Sequence, residues 1–139
     1  MSSSPGPRQN RILAALPPVD YTRLLPFLEL VQLQAGHIIH EPRFPIRYLY
    51  FPTTCIVARR YELGNGAFTQ IGTIGNEGLT GISILLGAET SRVRKVVQSA
   101  GNAYRINASL LKKEFDLDGD CQNLLLRFAQ ALIAADQGF

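Results

Sequence analysis

The residues best suited to chemistry lie between Ile71 and Gly101, where glycines and two arginines interrupt strand-like runs. Arg92 and Arg94 are two positions apart, so on a β-strand both side chains project from one face. Four glycines nearby allow backbone amides to approach a ligand closely: Gly75, Gly78, Gly81 and Gly87. Bare amides and a forked guanidinium suffice to bind a phosphate or similar anion. The segment therefore predicts an anion pocket, and the alternative is that the glycines form turns and bulges beside a solvated strand face.

Composition indicates one globular domain with a weak positive charge. The chain has 139 residues, is 46% hydrophobic and carries a formal charge of +3. That length suits one core of ordinary size. The basic residues are interleaved with acids, and no cluster is long enough to form a nucleic-acid-binding stripe by itself.

Enzymatic and metal sites find little support in the sequence. His37 and His40 are three apart and face opposite sides of a strand, so they do not converge on a metal. No serine has a histidine and an acid placed to make it a nucleophile. Cys55 and Cys121 lack metal-ligand spacing. We interpret both as buried, unreactive thiols, with a redox sensor as the alternative, and we expect no catalytic residues and no metal.

The amino terminus gives no sign of export or membrane insertion. Residues 1–9 form a polar leader that we expect to be disordered, and residues 10–139 form the domain. No apolar run approaches the roughly 20 residues of a membrane span. We expect a cytoplasmic protein.

Periodicity predicts a mainly β fold with flanking helices. Asn10 is expected to cap a helix to Leu16, and Asp20 a second helix to about Leu28. Short strands separated by glycine turns follow: 30–33, 37–40, 48–51, 56–61, 68–74, 93–98 and 103–106. Asn107 or Ser109 is expected to cap a helix to Phe115, and Asp118 or Asp120 a last helix of about 120–136. Many short strands with such turns predict a closed or two-sheet structure, a jelly roll or double-stranded β-helix.

The last predicted helix is apolar around more than one face. Its apolar positions include Leu124, Leu125, Phe128 and Leu132. A small domain cannot cover so wide a stripe alone, so we favour burial against a second copy. Packing on the β-roll can account for part of it.

Five segments in this order carry a family resemblance: NRILAALPPVDYTRLLPFLELVQLQAGHIIHEP (10–42), IRYLYFPTTCIVA (46–58), IGNEGLTGISILLG (74–87), VVQSAGNAYRI (96–106) and LLLRFAQAL (124–132). The chain resembles the sensor half of the cyclic-AMP receptor and fumarate-nitrate regulator (Crp/Fnr) family of bacterial transcription regulators. The resemblance implies a cyclic-nucleotide-binding β-roll with a long dimerisation helix.

The resemblance also implies a phosphate-binding cassette from Gly81 to Arg94. The expected ligand-binding residues are Gly81, Ile82, Ser83, Arg92 and Arg94. In nucleotide-binding members an acidic residue follows the cassette glycine and holds the ribose, but here Ile82 stands in that place. A degenerate pocket or another small ligand is therefore expected, and a cyclic nucleotide stays one candidate.

The resemblance also concerns partners. Family members end in a helix-turn-helix module, and none follows Phe139. We expect no sequence-specific DNA binding by this chain alone, and association as a homodimer or as a heterodimer with a full-length relative. The expected function is a non-enzymatic regulatory sensor that signals through its last helix, and the alternative is a ligand-independent dimerisation domain.

Overall fold

The computed structural model describes residues 6–87, 91–117 and 119–136, with side chains as far as Leu132. Within these residues four α-helices form: α1 (Arg11–Ala15), α2 (Pro18–Leu24), α3 (Ala108–Asp116) and α4 (Asp120–Asp136). Three 3-10 helices accompany them: Pro7–Gln9, Leu25–Phe27 and Ile82–Leu86. The strands are β1 (Glu29–Leu33), β2 (Ile38–His40), β3 (Tyr48–Pro52), β4 (Ile56–Glu62), β5 (Phe68–Ile74), β6 (Val93–Ser99) and β7 (Gly101–Asn107).

The strands form two antiparallel sheets. One has the order β1-β7-β3 and the other the order β2-β6-β4-β5. The β4–β5 hairpin closes over Gly64-Asn65-Gly66, between the predicted strands 56–61 and 68–74, with Gly66 at a φ of 85° and Asn65 Oδ1 accepting from Ala67 N at 3.1 Å. The expected mainly β roll with flanking helices is confirmed.

Two apolar clusters make the core. The first includes Tyr50, Val57 and Val97 and joins strands of the two sheets. The second joins helices α1 to α4 to Leu49 and Phe51 of β3, to Ile106 of β7 and to the 3-10 helix Ile82–Leu86. These strand residues alternate with those buried between the sheets, so the helices cover the other face of this sheet.

Asn10 fixes the first helix to the roll. It is fully buried, and its Oδ1 accepts from the amides of Ile12 and Leu13 at 3.0 and 3.2 Å, as its predicted capping role requires. Its Nδ2 donates to the carbonyls of Pro52 and Gly78, both at 2.8 Å. One side chain thus ties α1 to β3 and to the turn after β5.

The second helix begins earlier than expected. Asp20 was the expected cap, but α2 begins at Pro18, and Asp20 lies in its first turn. Proline favours this start because its fixed φ suits a first helical turn and its missing N–H needs no partner there. Pro7–Gln9, inside the leader expected to be disordered, form a 3-10 turn, and Arg8 stacks on Tyr21 with 3.9 Å from its Cζ to the ring centroid.

The carboxyl-terminal helices agree with expectation where the structure describes them. Asn107 caps α3 by accepting from Ser109 N at 2.9 Å. The last helix begins at Asp120, and the other expected cap, Asp118, lies outside the described residues. Among the described residues no helix has both the length and the apolar character to cross a membrane.

Candidate functional site

A cavity of about 210 Å³ lies inside the roll, under the 3-10 helix Ile82–Leu86, which we call the cassette helix. Strands β4 and β6 form one wall, and α4 covers another side through Ala129 and Leu132. The cavity is lined by Arg59, Ile74, Leu79, Gly81, Ile82, Ser83, Leu86, Ser91, Val93, Lys95, Ala129 and Leu132.

Gly81 sets the position of the cassette helix. Its φ is 86°, in the left-handed region where glycine is favoured. A Cβ there would lie 3.2 Å from Ile46 Cγ2 and 3.3 Å from Leu49 Cγ, so the backbone approaches β3 closely. The preceding Thr80 is anchored to β3, since its amide donates to Tyr50 O at 2.9 Å and its Oγ1 accepts from Tyr50 N at 3.2 Å. Ile82 and Ser83 are thereby held at the cavity.

The buried cations of the cavity are Arg59 and Lys95. They are directly opposite each other in the β4–β6 ladder, and they are only 7% and 5% exposed. Burial, together with the charge of Arg59, lowers the pKa of Lys95 to about 8 from its ordinary 10.5. Next to Lys95 in the same row stands His40 on β2, whose Nε2 and Nδ1 contact the carbonyls of Phe44 at 2.8 Å and Val93 at 3.3 Å.

Arg94 lies on the outer face of β6, and Arg92 lies immediately before the strand with its side chain also outside the cavity. Arg94 Nε donates to Glu41 Oε1 at 2.7 Å, and its Cζ lies 4.0 Å from the ring centroid of Phe68. Arg92 is exposed and lies over Tyr61. Of the five residues expected in the cassette site, the structure brings Gly81, Ile82 and Ser83 to the cavity and leaves these two arginines outside it.

Sequence reasoning missed Arg59 and Lys95, although a signal was present. Val57 and Val97 are opposite each other in the β4–β6 ladder and are buried between the sheets. Arg59 lies two residues after Val57, and Lys95 two residues before Val97, so all four side chains share the inner face. Because residues two apart on a strand share a face, the buried Val97 places Lys95, rather than its neighbour Arg94, in the interior.

The expected dimer residues on α4 are packed against this same chain. Leu125 is 1% exposed and belongs to the helical core cluster. Leu124, Phe128 and Leu132 are half-buried and pack on that cluster. A Cβ at Gly78 would come within 2.5 Å of the Phe128 ring, so α4 lies directly on the turn after β5.

The other candidate chemistries do not gather into sites in the described part of the chain. No group of three histidine, cysteine, aspartate or glutamate residues there could hold a metal ion. Burial raises the pKa of the Cys55 thiol, and burial with Asp20 and Glu114 raises that of Cys121 to about 11. Both thiols are thus held in the unreactive protonated form at neutral pH. Glu77 Oε1 accepts from the amide of Gly75 at 3.1 Å within their turn, and Glu89, which follows Gly87 by two positions, lies outside the described residues.

The two sheets, the cassette helix and the cavity beneath it define a β-roll of the cyclic-nucleotide-binding type. A putative cyclic nucleotide-binding protein from Geobacter metallireducens GS-15 is similar over 96% of this chain and 99% of its own, with a TM-score of 0.76 and 14% identity. The N-terminal domain of a transcriptional regulator from Streptomyces coelicolor A3(2) is similar over 95% and 92%, with a TM-score of 0.65 and 19% identity.

The sensor domain of the transcriptional regulator DNR from Pseudomonas aeruginosa is also similar, over 91% of this chain and 83% of its own, with a TM-score of 0.66 and 15% identity. The structural neighbours are thus regulator sensor domains and cyclic nucleotide-binding domains, and at these identities they show the fold. The sequence matches no protein-family model and no curated protein significantly. The resemblance to Crp/Fnr sensor domains is therefore confirmed at the level of the fold.

Proposed function

We propose that this chain is a non-enzymatic regulatory sensor domain that binds a small anionic ligand in the roll cavity and transmits its occupancy to α4. One observation carries the proposal: a single cavity is lined by the cassette, by two buried cations and by the last helix. A ligand in this cavity would contact α4, the element that we propose transmits its occupancy. Regulatory domains among the structural neighbours support the same class of function.

The charges of the cavity favour an anion. Lys95 and Arg59 place two positive charges side by side under little solvent, and like charges in such a setting repel each other. An anion bound beside Lys95 offsets this repulsion and accepts a hydrogen bond from its ammonium group. A cyclic nucleotide is the first candidate because the Geobacter neighbour is described as a putative cyclic nucleotide-binding protein.

The small size of the cavity couples the binding of a large ligand to the position of α4. Sites for drug-sized ligands measure roughly 300–1,000 Å³, and this cavity measures about 210 Å³ with Ala129 and Leu132 on its wall. A ligand as large as a nucleotide therefore has to displace α4 or the cassette helix. The ligand would then favour one placement of the helix over another, which is the differential affinity that a relay requires.

Calorimetric titration with cyclic AMP, cyclic GMP and small anions tests binding, and hydrogen exchange of α4 tests the relay. We expect Lys95→Gln to weaken binding about 10- to 150-fold, the loss typical of a hydrogen bond to a charged group. The matched control is Arg94→Ala, since Arg94 carries the same charge on the outer face of the same strand. Equal losses in both variants, or binding with no change in the exchange of α4, would contradict the proposal.

We also propose that α4 carries the dimer contact, in a homodimer or with a longer relative. A groove beside α4 supports this second role: half-buried Leu124 and Leu126 line it with Ala15 and Pro17, and the polar residues Asp120, Asn123, Arg127 and Gln130 line it as well. Leu125 is left out of this contact because it lies in the core of the single chain. Sedimentation equilibrium of the wild type and of Leu124→Glu tests it: a wild type that stays monomeric at all concentrations contradicts dimerisation.

A further inference from the structure

The amine of Lys95 is buried and has no bonding partner. The residue is 5% exposed, and its ammonium group makes no hydrogen bond or ion pair within the described part of the chain. Every wholly buried side-chain nitrogen or oxygen among those residues does have a hydrogen-bond partner. The nitrogen of Lys95 is therefore not wholly enclosed by protein, and it faces the open space of the cavity that Lys95 lines.

The surroundings of this amine favour its neutral form. Large aliphatic side chains make most of the cavity wall: Ile74, Leu79, Ile82, Leu86, Val93 and Leu132. Burial is the larger cause that lowers the pKa of Lys95 to about 8, and the charge of Arg59 on β4 is the smaller one. His40 on β2 is the other titratable neighbour in the same cross-strand row. At pH 7.5 about a quarter of such an amine is neutral, against about 0.1% at the ordinary pKa of 10.5.

A neutral, desolvated amine is a nucleophile. Lysines that are buried among apolar groups, or that lie beside another cation, are those that form Schiff bases with carbonyl compounds. Lys95 meets both conditions, and the second requires only that the charge of Arg59 is near, whatever else that guanidinium binds. The cavity also reaches the surface, because Leu86 on its wall is 48% exposed.

We propose that Lys95 captures a short aliphatic aldehyde in this cavity as a covalent imine. The Nζ lone pair attacks the carbonyl carbon, a C=N bond replaces the C=O bond, and the oxygen leaves as water with both Nζ hydrogens of the neutral amine. No electrons are gained or lost, so no further reactant is needed. The alkyl chain matches the hydrocarbon wall. The hydroxyls of Ser83 and Ser91 on that wall can donate a hydrogen bond to the carbonyl oxygen as it gains negative charge.

This capture is stoichiometric and goes beyond the proposed sensor function. It requires the neutral amine and access to the cavity, and it requires neither an anionic ligand nor a displacement of α4. The displacement on which the sensor function depends still comes from a larger ligand.

Reductive trapping tests the capture, because few amines compete for the aldehyde. The lysines of the 139-residue chain are Lys95, Lys112 and Lys113, and its only other amine is the amino terminus. The chain is incubated with butanal and sodium cyanoborohydride at about pH 7.5, and peptide mass spectrometry follows the butyl adduct at each amine. Lys113 is the internal reference because it is exposed on α3.

We expect the adduct at Lys95 to form about tenfold faster than at Lys113, or better. The larger neutral fraction favours Lys95, and part of this advantage is lost because intrinsic nucleophilicity falls with the pKa, as it does for thiols. In guanidinium chloride the preference should disappear, since the unfolded chain has no cavity. An adduct at Lys95 that forms no faster than at Lys113 overturns the inference, and so does a preference that persists in the unfolded chain.

Lys95→Arg is the matched variant, because it keeps the positive charge and removes the reactive amine. It should lose the fast adduct while the rates at Lys112 and Lys113 stay unchanged, and its thermal midpoint verifies that it is folded. A fast adduct that remains in Lys95→Arg would belong to another amine and would overturn the assignment to Lys95.

The same proteins separate capture from the proposed function. Anion binding that depends on Lys95, without a preferential adduct, overturns capture and leaves the sensor function standing. A preferential adduct at Lys95 in a chain that binds no anion supports capture and contradicts the sensor proposal.

Discussion

Lys95 and Arg59 face each other across the β4–β6 ladder, and both side chains point into the roll. The ladder continues from here to the Val57 and Val97 pair, so the same inner face is apolar between the sheets and cationic beneath the cassette helix. Strand geometry requires this grouping because residues two apart share a face. The change from hydrocarbon to charge along one face marks the boundary between core and site.

The first prediction concerns the cost of the buried charge. The pKa of Lys95 is about 8 in the folded chain against an ordinary 10.5, so between these values the unfolded chain binds more protons. Stability therefore rises with pH through that window. Lys95→Met removes the charge and is expected to raise the free energy of unfolding at pH 7 by about 1–3 kcal/mol, and to flatten its pH dependence between about pH 8 and 10.

Urea unfolding at about pH 7 and pH 9.5 measures both effects. Lys113→Met is the matched control, because Lys113 is exposed on α3 and loses the same charge without leaving a cavity. Its pH dependence should equal that of the wild type. A Lys95→Met protein that is less stable than the wild type at pH 7 would show that the ammonium has a favourable partner in the folded chain.

A second prediction separates backbone strain from close packing at the cassette. Gly81→Ala and Gly87→Ala both place an alanine at a positive φ, 86° and 101°, at the two ends of the cassette helix. Such strain costs about 1–3 kcal/mol. Gly81→Ala also pushes a methyl group against Ile46 and Leu49, whereas nothing lies within 4 Å of a Cβ at Gly87.

We therefore expect Gly81→Ala to be the more destabilising and to weaken anion binding, while Gly87→Ala shows the strain alone. Thermal unfolding with and without ligand measures the two. Equal losses of stability would mean that the cassette glycine is needed for its dihedral angle and not for its approach to β3.

Sequence reasoning located the elements well because their signals are local. Gly64-Asn65-Gly66 predicts its hairpin, and Asn10 and Asn107 predict two helix starts, from chemistry within a few residues. Which side of β6 faces inward is instead decided by pairing with β4, and a shift by one residue exchanges the faces. An assignment that starts from Arg92 and Arg94, rather than from the buried Val97, therefore places the anion site on the outer surface of the roll.

The features that the sequence did not predict depend on contacts between residues that are far apart in the chain. Gly101 falls between the predicted strands 93–98 and 103–106, yet it begins β7, and a Cβ there would lie 2.6 Å from Cys55 N. A glycine is needed at position 101 mainly because the backbone of Thr54 and Cys55 passes too close for a side chain. The apolar width of α4 likewise indicates burial, but only the fold shows that Leu125 meets this chain's own core.

A third prediction tests the seating of α4 on the roll. In Gly78→Ala the new methyl would lie 2.5 Å from the Phe128 ring, so the ring or the helix must move. Overpacking of this kind costs about 1–3 kcal/mol. In a Phe128→Ala background the ring is gone, and Gly78→Ala should be close to neutral.

Urea unfolding of the two single variants and the double variant gives the coupling free energy, expected to be about 1–2 kcal/mol for residues in contact. Hydrogen exchange should show faster opening of α4 in Gly78→Ala. Strict additivity of the two substitutions would mean that Phe128 leaves this turn in solution and that α4 is not seated as described.

The last prediction concerns Asn10, whose amide group performs two tasks at once. Asn10→Ser keeps a cap acceptor for α1 but removes both donations to the carbonyls of Pro52 and Gly78. Two buried carbonyls then lose a donor, at a cost of about 1–3 kcal/mol each when no water replaces it. Asn10→Asp has the same shape, but its carboxylate faces two carbonyl oxygens in a fully buried position.

Burial and these carbonyls should raise the pKa of the carboxyl introduced at position 10 above its unfolded value. A raised pKa means that stability is retained at low pH and lost as pH rises through the folded pKa. Asn10→Asp should therefore be destabilised relative to the wild type at pH 7, and by less at about pH 5, where a protonated carboxyl donates one hydrogen bond. Asn10→Ser carries no titratable group, so its deficit should be equal at both pH values. A pH-independent deficit in Asn10→Asp would show that position 10 is hydrated and that α1 is held to the roll by apolar contacts alone.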